Sequence, residues 1–126
     1  MSGGKRSVAI VDDDEGLLEA TSGFLESMGY RAIPFSSGRE FLDSGLVEEV
    51  SVLLTDVNMP GITGLELQKI VRTLRPAITI VMMTALQDEN IRRKAMAGGA
   101  RELLHKPVLA DALIRCLEDA YGGPET

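Results

Sequence analysis

Five times along the chain a short β-branched or apolar run gives way to a stretch with apolar residues at helical spacing, and this alternation limits the fold more than any other feature. The runs are Ser7 to Val11, Arg31 to Phe35, Val50 to Thr55, Ile78 to Met83 and Glu102 to His105. Strands that alternate with helices through short connections require right-handed crossovers, which give a parallel sheet covered by helices on both faces. The first helical stripe is Leu17, Thr21, Phe24, Leu25 and Met28, closed by Gly29. Ser36-Ser37-Gly38 opens a second helix with Phe41, Leu42 and Leu46 inward, and the turn Asn58-Met59-Pro60-Gly61 precedes a third with Leu67, Ile70, Val71 and Leu74. The fourth, Asp88 to Ala97, has a thin apolar face of Ile91, Ala95 and Met96. The fifth carries Leu109, Ala112, Leu113, Cys116, Leu117 and Ala120 and is closed by Gly122-Gly123-Pro124.

A length of 126 residues suits one domain, and no repeat, low-complexity stretch or linker divides it, so a single unit is expected over 5–122. With 13 basic and 19 acidic residues the net charge is −6, which leaves no surplus of Lys and Arg for a sequence-independent grip on nucleic acid. The single cysteine excludes an internal disulfide and a Cys₂ or Cys₄ zinc site. The polar start Met1-Ser2-Gly3-Gly4-Lys5-Arg6 is no secretory signal, and the apolar runs fall well short of the ~20 residues of a membrane helix. A small acidic domain in the cytoplasm, without membrane or nucleic-acid contact, is the expectation.

In an open parallel sheet, chemistry collects beyond the carboxyl ends of the strands. The residues just past the five runs are Asp12 and Asp13 after the first, Asp56 after the third, Thr84 after the fourth and Lys106 after the fifth. Three carboxylates brought together repel by about 4 kcal/mol per pair at ~4 Å and an effective dielectric near 20, and one lysine offsets only part of that. Such a cluster calls for a cation; an all-oxygen donor set selects Mg²⁺ or a similar hard ion, which points to phosphoryl transfer.

These residues stand in ordered motifs: Val11-Asp12-Asp13-Asp14, the run from Leu53 to Gly64 (Leu-Leu-Thr-Asp-Val-Asn-Met-Pro-Gly-Ile-Thr-Gly), Met83-Thr84-Ala85, Gly98-Gly99-Ala100 and Lys106-Pro107. Together they make the chain similar, over about Lys5 to Tyr121, to the receiver domain of two-component response regulators, the CheY-like superfamily. The resemblance implies a flavodoxin-like, doubly wound α/β fold of five parallel strands in the order 2-1-3-4-5 with five helices. It implies that Asp56 accepts a phosphoryl group from a phosphohistidine on a sensor histidine kinase or histidine phosphotransfer protein. Asp12, Asp13, Asp56 and the Asn58 backbone carbonyl would hold Mg²⁺, Lys106 would pair with the phosphoryl oxygens, and Thr84 would swing its hydroxyl toward them. Pro107 would follow a cis peptide bond that fixes where Lys106 points. The domain would be no enzyme beyond catalysing its own phosphorylation and dephosphorylation. Its output partner, or a second copy, would meet it on the face of the fourth helix, fifth strand and fifth helix.

Two positions depart from the family pattern. Leu103, three before Lys106, replaces the usual Tyr or Phe, so the coupled hydroxyl–aromatic switch must work differently. Leu86, two past Thr84, cannot orient a water, which predicts slow self-dephosphorylation.

Simpler readings stand beside these. Asp14 and Glu15 suit a helix cap and first turn, Asp56 an ordinary turn, Thr84-Ala-Leu-Gln a capping box, and Lys106-Pro107 a helix entry. His105 reads as a partly exposed strand end, Cys116 as a small buried hydrophobe, and Arg92-Arg93-Lys94 as either a solvated face or an interface. Rival functions are a haloacid dehalogenase-type aspartyl phosphatase using Asp12, a flavin-binding flavodoxin, and a receiver kept only for docking. Against the first, Gly16 stands where Thr or Val would be expected and no late acidic pair follows a fourth strand. Against the second, carboxylates in the first loop would repel a phosphate.

Overall fold

The computed structural model describes residues 6–121; the polar start up to Lys5 and the closing Gly122-Gly123-Pro124 lie outside the described residues. Strands β1 (Ser7–Val11), β2 (Arg31–Phe35), β3 (Val52–Asp56), β4 (Thr79–Thr84) and β5 (Glu102–His105) form one sheet, all pairs parallel, in the order β2-β1-β3-β4-β5. Helices α1 (Glu15–Ser27), α2 (Gly38–Asp43), α3 (Gly64–Leu74), α4 (Glu89–Ala97) and α5 (Ala110–Ala120) connect and cover it. This is the predicted doubly wound arrangement.

The continuous apolar runs make sense because the pleat sends alternate residues into two separate cores. Ala9, Val11, Leu53, Ile80, Met82 and Leu103 face one layer, where α2, α3 and α4 supply Phe41, Leu67, Val71 and Ala95. Val8, Ile10, Val52, Leu54, Val81 and Met83 face the other, packed by Leu18 and Leu25 of α1 and Leu113, Cys116 and Leu117 of α5. Gly29 follows α1 at φ +93°, where a side chain would be strained.

Several boundaries differ from the periodicity, each for a visible reason. Helix α2 stops at Asp43, and Leu46 belongs to a separate 3-10 turn, Leu46–Glu48. The Ser44 hydroxyl donates to the Phe41 carbonyl and accepts from the Leu46 amide, and Gly45 turns the chain at φ +76°. Strand β3 starts at Val52 because the Arg75 guanidinium takes the Val47 and Val50 carbonyls. Strand β4 starts at Thr79, since the Ile78 carbonyl accepts from Arg72. Leu109 is not part of the buried stripe of α5: it precedes the helix and is 70% exposed.

Candidate functional site

Because β1 and β3 are neighbours with Val11 in register with Thr55, their carboxyl ends emerge side by side. The acids that follow converge: carboxylate oxygens of Asp12, Asp13 and Asp56 lie within 4.8 Å of one another. Asp12 is 1% and Asp56 6% exposed, whereas Asp13 faces solvent. The fourth charge comes from β5. The Lys106 amide is tied to the Thr84 carbonyl at 2.8 Å, and the bond to Pro107 is cis, as expected. From there the Lys106 ammonium reaches Asp12 Oδ2 at 3.0 Å and Asp56 Oδ2 at 3.4 Å.

The run of acids divides by role. Asp14 caps α1, accepting from the Leu17 amide at 3.1 Å, and Glu15 opens the helix beside its positive end. Asp12 is fixed from the backbone, its Oδ1 accepting from the Asp14 amide at 3.0 Å, which leaves Oδ2 for Lys106. Burial raises the pKa of Asp56 above the ordinary carboxylate value; Lys106 and the Asn58 backbone amide pull it down, while the Asp12 charge pushes it further up. Burial disfavours the Lys106 ammonium, yet its bonds and charge contacts with Asp12 and Asp56 outweigh that, and its pKa rises. The site therefore keeps a charged lysine against three carboxylates and a surplus of negative charge. Its donors are all carboxylate oxygen, the set a hard divalent cation prefers, so these residues fit the magnesium ion expected from the sequence.

Thr84 is fully buried, and its hydroxyl accepts from the Leu86 amide at 3.1 Å. This corrects the capping-box reading of Thr84: α4 is capped by Asp88, which accepts from the Asn90 amide at 2.8 Å. The capping box lies instead at Thr63 and Glu66, ahead of α3. Asn58 is exposed beside the site. Leu103 is 4% exposed in the layer that holds Ala95 of α4. His105 is exposed, and Cys116 is buried with its thiol pushed up to about 11 by burial.

Gly64 is a site residue that the periodicity passed over. A Cβ there would collide with the Asp56 carbonyl oxygen and lie 2.7 Å from Val57 Cα. Its amide donates to the Val57 carbonyl at 2.7 Å, so the first turn of α3 is pressed against the backbone that carries Asp56. The available signal was a glycine just after Thr63, the first residue of a capping box.

A parallel five-stranded sheet with an acid cluster and a lysine at its carboxyl edge defines the class, and the chain belongs to the response regulator receiver domains: residues 8–118 match that family. Over 115 residues it is 34% identical to the transcriptional regulatory protein FixJ of Azorhizobium caulinodans, covering 91% of this chain and 54% of that protein. Over 118 residues it is 33% identical to nodulation protein W of Bradyrhizobium diazoefficiens, covering 90% of this chain and 52% of that protein. The chain thus spans about half the length of these curated relatives. The chemotaxis protein CheY4 of Vibrio cholerae superposes with a TM-score of 0.86 at 29% identity, covering 93% of this chain and 99% of that one. The chain is accordingly a signalling domain with the phosphoacceptor function of two-component systems, whose receiver domains interact with histidine kinases and output domains. The dehalogenase-type phosphatase is not favoured. Among the described residues no helix is long and apolar enough to cross a membrane.

Proposed function

We propose that Asp56 accepts the phosphoryl group, within a unit running from residue 5 to 122. The observation that carries this is the Asp56 carboxylate, buried at the end of β3 with the Lys106 ammonium at 3.4 Å and two further carboxylates close by. An Asp56 oxygen attacks phosphorus in line, the P–N bond of a phosphohistidine breaks, and the histidine nitrogen keeps the electron pair and takes a proton from water. Lys106 stays beside the developing charge on the phosphoryl oxygens, and Asp12 holds the ammonium in place. Asp12, Asp13, Asp56 and the Asn58 backbone carbonyl are the ligands for Mg²⁺, which when bound neutralises charge on the transferring group. The domain thereby catalyses its own phosphorylation and, with water as the attacking group, its dephosphorylation.

The phosphoryl donor is a sensor histidine kinase or a histidine phosphotransfer protein. Such donors are charged from ATP, which puts this domain in the cytoplasm. Loss of the Leu86 amide bond frees the Thr84 hydroxyl to meet the phosphoryl group. The change is read on the face of α4, β5 and α5, by an output partner or a second copy; Arg93 and Lys94 stand exposed there. A net charge of −6 leaves nucleic acid out of this chain's contacts.

The test is transfer from a phosphohistidine donor with Mg²⁺ and then with EDTA, for the natural chain and Asp56→Asn. Label is expected only on the natural chain with Mg²⁺. Label retained by Asp56→Asn overturns the acceptor, label mapped to Asp12 restores the phosphatase reading, and undiminished transfer in EDTA removes the metal.

A further inference from the structure

Helix α4 is anchored unevenly. Its apolar side is thin, with Ala95 fully buried and Ile91 partly so. Its C-terminal end is bonded to α3 by two side chains. Gln68, only 2% exposed, donates from Nε2 to the Ala95 carbonyl at 2.9 Å, and that carbonyl also receives the Ala100 amide at 3.0 Å. Arg72 donates from Nη2 to the Gly99 carbonyl at 2.9 Å while its Nη1 holds the Ile78 carbonyl at 2.7 Å. Gly98 closes over this join: a Cβ there would collide with Gln68 Oε1 and lie 2.8 Å from Cδ, so the helix end rests directly on the amide.

Among the described residues no side chain of another helix bonds the other end. Residues 85–90 are all exposed, and the hydrogen bonds described for them run to Thr84 or within the first turns of α4 itself. A groove lined by Gln87, Asp88, Glu89, Arg92 and His105 separates this end from β5. The first turn of α4 lies about 9 Å from Ala95 along the helix. A buried amide with a satisfied bond is costly to disrupt, whereas an exposed turn rearranges cheaply.

We propose that Gln68 is the pivot of α4: it fixes the C-terminal end of the helix to α3, so that a change at Asp56 and Thr84 moves the N-terminal end. The inference rests on Asp56 being the acceptor. Helix α3 suits the part of a fixed post, since Gly64 presses its first turn onto the Asp56 backbone and Arg72 and Arg75 hold its last turn to the loops at the opposite sheet edge. Leu103 packs in the same buried layer as Ala95 of α4, on the side of the helix that Gln68 fixes.

The experiment is backbone amide NMR of the chain with Mg²⁺, before and after beryllofluoride, for the natural protein, Gln68→Met and Arg72→Met. In the natural chain the amide shifts of 84–92 are expected to move and those of 96–100 to stay. In Gln68→Met, which keeps the side-chain length and loses the donor, the shifts of 96–100 move too. Arg72→Met gives the same spread more weakly, and serves if Gln68→Met does not fold. Shifts at 96–100 as large as those at 86–92 in the natural chain overturn the pivot, as does a pattern unaltered in both variants. A response confined to the surroundings of Asp56 overturns the pivot alone. No response even there overturns the acceptor reading with it.

Discussion

The Lys106 ammonium is closer to Asp12, at 3.0 Å, than to the proposed acceptor Asp56, at 3.4 Å. Asp12 thus anchors the lysine beside Asp56, which meets it through Oδ2 alone and keeps Oδ1 available for attack.

Replacing Lys106 with Met leaves Asp12 and Asp56 buried without a cation. We expect a loss of about 2 kcal/mol in stability without divalent ions, from the unpaired carboxylates. Labelling of Asp56 by acetyl phosphate with Mg²⁺ should fall roughly 100-fold, the usual cost of removing a charge-stabilising donor. Urea denaturation and a labelling time course check the two effects, and unchanged labelling would count against the role of Lys106.

Asp56 has a folded pKa above the ordinary 3.8, first because it is buried. The folded state therefore holds this proton more tightly than the unfolded chain does. The resulting stability is fully present below the unfolded pKa and is lost as pH rises through the folded one. Asp56→Asn removes the loss, so without metal it should be more stable than the natural chain at pH 7, with the gap closing toward pH 4. Saturating Mg²⁺ should reverse the order, adding about 2.7 kcal/mol to the natural chain at a hundredfold excess over Kd. Denaturation series across pH, with and without Mg²⁺, provide the measurement; a natural chain already the more stable at pH 7 without metal refutes the sign.

Gly64→Ala sets a methyl against the Asp56 and Val57 backbone, where no flexible side chain can yield. We expect a loss of about 2 kcal/mol, since overpacking against rigid backbone is destabilising. A displaced acceptor should also be labelled roughly tenfold more slowly. Gly23→Ala in α1, whose Cβ would meet nothing within 4 Å, is the control and should leave labelling unchanged.

Leu86 is 49% exposed and lies two residues past Thr84, where its apolar side chain cannot align a water. The phosphorylated domain should persist for minutes or longer with Mg²⁺ present, and Leu86→Glu should shorten its life by about tenfold by supplying a group that accepts a proton from water. Decay of isolated phosphoprotein, followed by gel, measures both; a natural half-life of seconds overturns the prediction.

The sequence by itself determined the α/β alternation, the parallel sheet and the residues past its strand ends, because these follow from period and order alone. Asp12, Asp56 and Lys106 were legible as one set for that reason, and so was Asp14 as the helix cap. Other features do not follow from hydrophobic period. The stop of α2 ahead of Leu46 turns on Ser44 and Gly45, a local device that hydrophobic spacing does not register. The Val47 and Val50 carbonyls taken by Arg75, the Gly99 carbonyl taken by Arg72 and the amide bond of Gln68 to α4 arise only once three helices share one face of the sheet. Thr84 bonds the Leu86 amide because α4 begins later, at Glu89, than a capping motif at Thr84 would place it. Periodicity states which face a residue turns to the core; which polar atom meets which across the core depends on packing distances that only the assembled layers set.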